Sequence, residues 1–278
     1  MTSPIQDDSP SALLLRVNEE NAAAYFSHLC RAAGVEIDDR PGRLRVATGI
    51  GHGVFNGVYV TRLSTAEADA YVEDTLAYFA ANGLPWLWWV WPGAEPPDLA
   101  ERLAARGLAA RGTLHAMSVD LRGIPSNRTQ PGELIVERVT SEDALAVAAD
   151  VAGETFGLRP ERRPRYLAVF SALGFDVGAA FQSYVGSAGG TPVAVSQSFL
   201  GAGVAGIYTV ATLPEHRGRG YGTTLTMAPL RDARALGYRY GVLQSSKMGR
   251  PTYEGLGFRL DADVQLFGRP PNPASAPR

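Results

Sequence analysis

Residues 217–222 read Arg-Gly-Arg-Gly-Tyr-Gly. Glycines let the backbone take positive φ and approach a ligand closely. Consecutive N–H groups in such a loop can converge on an anion, and Arg217 and Arg219 add charge-assisted donors suited to phosphate. The loop lies between a strand-like run ending near Thr212 and a helical pattern beginning near Gly222, so a helix N-terminus adds positive potential. A pyrophosphate is the natural guest. The glycines fall as G-x-G-x-G at 218, 220 and 222, which is neither the G-x-G-x-x-G dinucleotide fingerprint nor a P-loop. The bland alternative is a glycine-rich turn with solvated arginines.

Other chemistries find little support. His28, His52, His115 and His216 are scattered, and Cys30 is the single cysteine, so no metal-ligand spacing exists. There is no G-x-S-x-G elbow and no H-E-x-x-H. The net charge of -2 offers nothing to nucleic acid. No run approaches about 18 consecutive apolar residues, so no membrane span is expected. The polar start "MTSPIQDDSP" has no apolar signal core. With one cysteine, these features lead us to expect a cytoplasmic protein.

The elements that must position the loop are read from periodicity. In the first half, helices are expected over 11–33, 65–82 and 96–106. Strands are expected at "RLRVATG", "GVYVTRL", "WLWWVWP" and "LHAMSVDL". The second half reads strand "ELIVERV", helix 141–153, strands "FQSYVG", "TPVAVSQSFL" and "VAGIYTVATL", the glycine loop, and a helix over 222–236. It closes with strand "YGVLQSS", helix "GRPTYEGLG" and strand "DVQLFG". This order implies an α/β fold with a mixed sheet. The Pro/Gly/Ser-bearing stretch 121–133 is the linker candidate, and the two halves share their later elements, which suggests a tandem repeat.

The surroundings of the loop narrow its guest. "VATLPEHRGRGYGTTL" (210–225) resembles the acyl-CoA-binding signature of the GCN5-related N-acetyltransferases through Pro214, Arg217, Gly220 and Gly222. "TYEGLGF" (252–258) resembles the closing motif of the same family. The resemblance covers about 133–268 and implies a splayed mixed sheet that grips acetyl-CoA. The corresponding place in the first half, "STAEADAYVED", has acids and no glycine. We therefore expect a degenerate first copy without a phosphate loop at 1–125, a catalytic domain at 133–268, and a flexible tail at 269–278.

The resemblance also implies roles. Val210, Ala211 and Thr212 would pair with the pantetheine amides, with the Val210 N–H as the donor to the thioester carbonyl. Arg217, Gly218, Arg219, Gly220, Tyr221, Gly222 and Thr223 would cradle the pyrophosphate. Tyr253 would protonate the departing thiolate, the alternative being a core aromatic. Ser246 stands where many members carry an Asn that contacts pantetheine, and nearby Lys247 could serve the 3′-phosphate or simply be solvated. The strand before the loop has no acid, so Glu154 becomes the candidate general base, with a solvated helix-end glutamate as the alternative. "RPERRPRY" (159–166) reads as a solvated loop, or as a clamp for an acidic acceptor or the CoA phosphates. "WLWWVWP" reads as a core strand with two buried faces, or as a source of acceptor-pocket wall from Trp86, Trp88, Trp89 or Trp91. The expected activity is acetyl transfer from acetyl-CoA to a primary amine of a small molecule by direct attack in a ternary complex. The competing readings are a non-catalytic CoA-binding module and a protein or peptide N-acetyltransferase. Oligomeric state is left as monomer or homodimer.

Overall fold

The computed structural model describes residues 4–5, 11–124 and 131–269; residues 125–130 of the expected linker and 270–278 of the expected tail lie outside them. The first half runs α1 (Ser11–Ala32), β1 (Ile37–Arg40), β2 (Arg43–Ala47), β3 (Asn56–Thr61), α2 (Thr65–Asn82), β4 (Leu87–Val90), α3 (Leu99–Ala105) and β5 (Ala109–Asp120). The second runs β6 (Leu134–Arg138), α4 (Glu142–Phe156), α5 (Arg163–Ser171), β7 (Phe181–Ala188), β8 (Thr191–Gly201), β9 (Val204–Thr212), α6 (Tyr221–Ala235), β10 (Tyr240–Ser245), α7 (Arg250–Glu254) and β11 (Arg259–Gly268). No helix among the described residues is long and apolar enough to cross a membrane.

The eleven strands among the described residues form one mixed sheet, in the order β1-β2-β3-β4-β11-β5-β10-β9-β8-β7-β6. Each half contributes its last strand to the other. β5 from the first half pairs antiparallel with β10, β11 from the second pairs antiparallel with β4, and the two exchanged strands pair with each other. Each half also holds one parallel pair, β3 with β4 and β9 with β10.

Side-chain alternation assigns the two faces. Val58, Trp88 and Phe267 pack under α2 and α3, whereas Tyr59, Trp89 and Leu266 belong to the core under α1. Met117, Ile207 and Leu243 pack under α6, whereas Ala116 and Tyr208 face α1 and α4. All four tryptophans are buried, which fits the strand with two buried faces. The core on the α1 face is continuous across both halves, from Tyr25 and Trp89 to Phe170 and Phe199.

Two buried amides fasten α1 onto the exchanged sheet. Asn18 Nδ2 donates to the carbonyls of Met117 on β5 and Leu243 on β10, and its Oδ1 accepts from Gln244 Nε2 at 2.6 Å. Asn21 Nδ2 donates to Gly201 O at 2.8 Å, and its Oδ1 accepts from the Tyr208 hydroxyl at 2.6 Å. Gly206 makes this approach possible: an added Cβ there would stand 1.9 Å from Asn21 Oδ1.

The arginine run is helical, contrary to the loop reading. Arg162 Nη1 donates to Gly51 O at 2.9 Å and Arg165 Nε to Thr48 O at 2.7 Å, while Arg163 pairs with Asp150. These contacts tie α5 to the 48–55 segment of the first half.

One exchanged-strand residue carries a pH prediction. Asp261 sits at the bulge where β11 slips against β5, accepts from Ser118 Oγ at 2.9 Å, and keeps its other carboxylate oxygen buried without a partner. Burial raises its pKa from 3.8 to about 6. The folded state therefore binds more protons than the unfolded state between these values, and stability falls as pH rises through that window. We expect Asp261→Asn to raise Tm at pH 7.5 and to lose that advantage below pH 4. Melting curves at the two pH values check this; equal shifts at both would contradict it.

Candidate active site

The β9–β10 ladder ends at Ile207 opposite Leu243, beyond which the parallel strands separate. On its other side β9 slips against β8: Ala211 faces Val195 and Tyr208 faces Gln197, leaving Thr209 and Val210 without a register partner. Thr209 takes φ 51°, a left-handed conformation that a β-branched residue rarely adopts. Its Oγ1 donates to Gln197 Oε1 at 2.6 Å, which holds the kink. A bulge of this kind redirects backbone groups out of the ladder, here into the gap between β9 and β10.

The glycine loop follows directly. Gly218 and Gly220 have φ 77° and 81°. Gly220 is the residue that caps α6, and no side chain caps its N-terminus. Its first-turn N–H groups are thus offered to a ligand. The matching helix of the first half is closed on itself. Ser64 Oγ accepts from Glu67 N, and Glu67 Oε2 accepts from Ser64 N at 3.0 Å, a complete capping box. The carboxylate occupies the place an anion would take. The parallel β3–β4 pair is closed as well, since Trp88 Nε1 donates to Thr61 Oγ1 at 3.0 Å between the strands.

A cavity of about 640 Å³ joins these parts. One end is formed by Thr209–Thr212, Arg217–Gly218, Gly220–Thr223, Ser245–Ser246 and Tyr253. The other end is made by the first half together with α4 and α5. Of the expected site residues, Val210, Ala211, Thr212, Arg217, Gly218, Gly220, Tyr221, Gly222, Thr223, Ser246 and Tyr253 all line it. Arg219 is exposed beside it. Arg217 Nε donates to Thr212 O, and the Tyr221 hydroxyl donates to Glu133. His216 Nδ1 is buried beside the loop without a partner, an orphaned polar atom that suits an anionic guest.

Ser246 and Tyr253 meet around one turn. Ser246 Oγ accepts from Gly249 N at 3.2 Å, leaving its own proton for a ligand. The Tyr253 ring passes so close to Gly249 that an added Cβ would lie 3.1 Å from it. Burial pushes the Tyr253 phenol up to about 12. It therefore keeps its proton throughout the working range, and full transfer to a sulfur of ordinary thiol pKa is uphill.

Glu154 is not brought into the site. Leu145, Ala148, Ala149 and Ala152 turn the buried face of α4 inward, and Glu154 falls on the exposed face. Its neighbours Gly153 and Thr155 line the cavity and Glu154 does not. Lys247 is likewise exposed and outside the lining. The residues that sequence reasoning missed are at the opposite end: Tyr25 and Phe26 of α1, His52 and Phe55, and Tyr166 of α5. Trp89 of β4 joins them, so of the four tryptophans it is both core and wall. Tyr25 stacks on Tyr208 with centroids 3.9 Å apart, and Tyr25 and Tyr166 are joined through Gln197. No cluster of potential metal ligands occurs among the described residues.

Comparison with known proteins agrees with this geometry. The acetyltransferase (GNAT) family model matches residues 144–258. No curated protein matches the chain. Among solved structures, a GCN5-related N-acetyltransferase from Kribbella flavida aligns with TM-score 0.67 at 18% identity, covering 90% of this chain and 96% of that one. A functionally unknown conserved protein from Staphylococcus epidermidis aligns with TM-score 0.58 at 13% identity, covering 84% and 92%. A GCN5-related N-acetyltransferase from Sphaerobacter thermophilus aligns with TM-score 0.58 at 18% identity, covering 76% and 70%. At these identities the structural matches speak for the fold, and they extend over both halves.

Proposed function

We propose that this chain, which belongs to the acetyltransferase (GNAT) family through residues 144–258, transfers an acetyl group from acetyl-CoA to the primary amine of a small molecule within a ternary complex. The observation that carries the reading is the alignment of an uncapped α6 N-terminus, a β9 bulge and Tyr253 along one cavity. We further propose the division of labour between a binding-competent second half, about 133–268, and a first half, about 1–125, that supplies the acceptor wall.

Acetyl-CoA, when bound, supplies the acetyl group as a thioester. The loop from Arg217 to Thr223, with the outlying Arg219, would hold the pyrophosphate through backbone N–H groups and guanidinium charge. The edge of β9 at Val210–Thr212 would pair with the pantetheine amides as an added strand. At the splay, the Val210 N–H would stabilise the negative charge that grows on the carbonyl oxygen. Ser246 would hydrogen-bond the pantetheine arm in place of an amide side chain. Tyr253 would donate a hydrogen bond to the sulfur as the carbon–sulfur bond breaks, lowering the cost of thiolate departure.

Removing the Tyr253 hydroxyl separates chemistry from binding. We expect Tyr253→Phe to lower kcat by about 100-fold, the low end of what a positioned proton donor contributes. The Kd for acetyl-CoA should stay within about threefold of wild type. Steady-state kinetics and calorimetric titration of the same preparation check this. An unchanged kcat would remove Tyr253 from the reaction.

A further inference from the structure

The acceptor end of the cavity has a chemical character that the acetyl-transfer reading does not require. Its walls are ring faces: Tyr25, Phe26, Phe55, Trp89, Tyr166 and Tyr208, each buried. Among the described residues lining the cavity, none is Asp or Glu. An ammonium brought here would lose its hydration and gain no counter-ion. Aromatic faces attract a cation, but that contact returns less than the desolvation of an unpaired charge takes.

Nor does this end offer a base. Its titratable groups are Tyr25, His52, Tyr166 and Tyr208. Burial raises all three phenols, so they hold their protons. Burial also lowers the His52 pKa, and His52 Nδ1 already accepts the Val54 N–H at 3.3 Å. In that neutral ring the other nitrogen carries the proton. Glu154, the remaining carboxylate considered for the role, faces solvent.

We infer that the acceptor is an arylamine, or an amine of similarly weak basicity on an apolar body, that arrives uncharged in an aromatic pocket with no carboxylate among its described lining residues. This rests on the acetyl-transfer reading above and narrows it. The balance of the step is then simple. The neutral nitrogen forms the bond to the carbonyl carbon, the carbon–sulfur bond breaks, and the proton leaving nitrogen ends on the departing sulfur. The products are an N-aryl acetamide and the free thiol, with no net proton exchanged with solvent. An alkylamine with a basicity near that of lysine would be under about 1% neutral at pH 7.

The matched pair 4-methylaniline and benzylamine tests this, because they are isomers of one size that differ in basicity. Each, and spermidine, is titrated into the protein in the presence of CoA, and each is assayed at pH 7 with acetyl-CoA. Acetyl-CoA binding is measured separately. We expect 4-methylaniline to bind and to show a kcat/KM at least about 100-fold above that of benzylamine, with spermidine inert. We expect Thr155→Glu, which adds a carboxylate at the cavity wall on α4, to move the ratio at least about tenfold toward benzylamine. Preference for benzylamine or spermidine, or an unmoved ratio in Thr155→Glu, overturns the arylamine inference while leaving acetyl transfer standing. Failure to bind acetyl-CoA at all overturns both.

Discussion

Gly220→Glu is expected to weaken acetyl-CoA binding at least about 100-fold, a loss of about 2.7 kcal/mol, while the protein remains folded. Two effects act together. Gly220 holds φ 81°, and a side chain in that region adds about 1–2 kcal/mol of strain. That strain is relieved when the loop changes shape, which moves the α6 N–H groups off the anion. The new carboxylate also stands at the N-cap of α6, beside the anion's position and with like charge. At contact, like charges near a protein surface repel by several kcal/mol. Gly220→Ala isolates the first effect and should fall between wild type and Gly220→Glu. Calorimetric titration measures all three, with circular dichroism confirming the fold. Wild-type affinity in Gly220→Glu would mean that the loop does not hold the pyrophosphate.

The second large effect concerns stability. Asn21 is fully buried, and its amide satisfies the Gly201 carbonyl and the Tyr208 hydroxyl. Asn21→Ala takes the acceptor Oδ1 from the Tyr208 hydroxyl and the Nδ2 donor from the Gly201 carbonyl, at about 1–3 kcal/mol each. A total of about 2–6 kcal/mol is a large share of the 5–15 kcal/mol that holds a typical domain together. We expect Tm to fall by roughly 10 °C, using about 2–4 °C per kcal/mol for a chain of this size. The change also frees the Tyr208 ring, which lines the cavity and stacks on Tyr25, so acceptor KM should rise more than the acetyl-CoA Kd. Thermal melts and the two binding parameters check this. A shift under about 2 °C would mean that α1 is not fastened to the sheet through Asn21.

Most helices and strands were legible because their signals are local. α2 spans the expected 65–82, with Gly83 as its end, and the glycine loop announced itself by residue type. The reciprocal exchange of β5 and β11 was not legible, because the apolar pattern of "LHAMSVDL" or "DVQLFG" fits a neighbour from either half. α5 was taken for a loop because four arginines and two prolines in 159–166 mask a helix; their partners, Gly51 O and Thr48 O, lie more than 100 positions away in sequence. The placement of Glu154 turns on helical phase, since its neighbours on each side line the cavity and it does not. The kink at Thr209 could not be foreseen, because a threonine in a strand gives no hint of left-handed φ. Apart from Trp89, the acceptor wall was not legible for the same reason as the strand exchange: Tyr25, Phe26 and Phe55 join the site through tertiary contacts alone.

The most direct measurement of the central claim is the stoichiometry of acetyl-CoA binding by the wild-type chain in calorimetric titration. The N-terminus of α6 has no side-chain cap, whereas its counterpart α2 is closed by its own capping box, and this difference predicts a single site of micromolar affinity per chain. Two sites would mean that the first half binds the coenzyme despite its capping box, and no binding up to millimolar concentration would contradict acetyl transfer by this cavity.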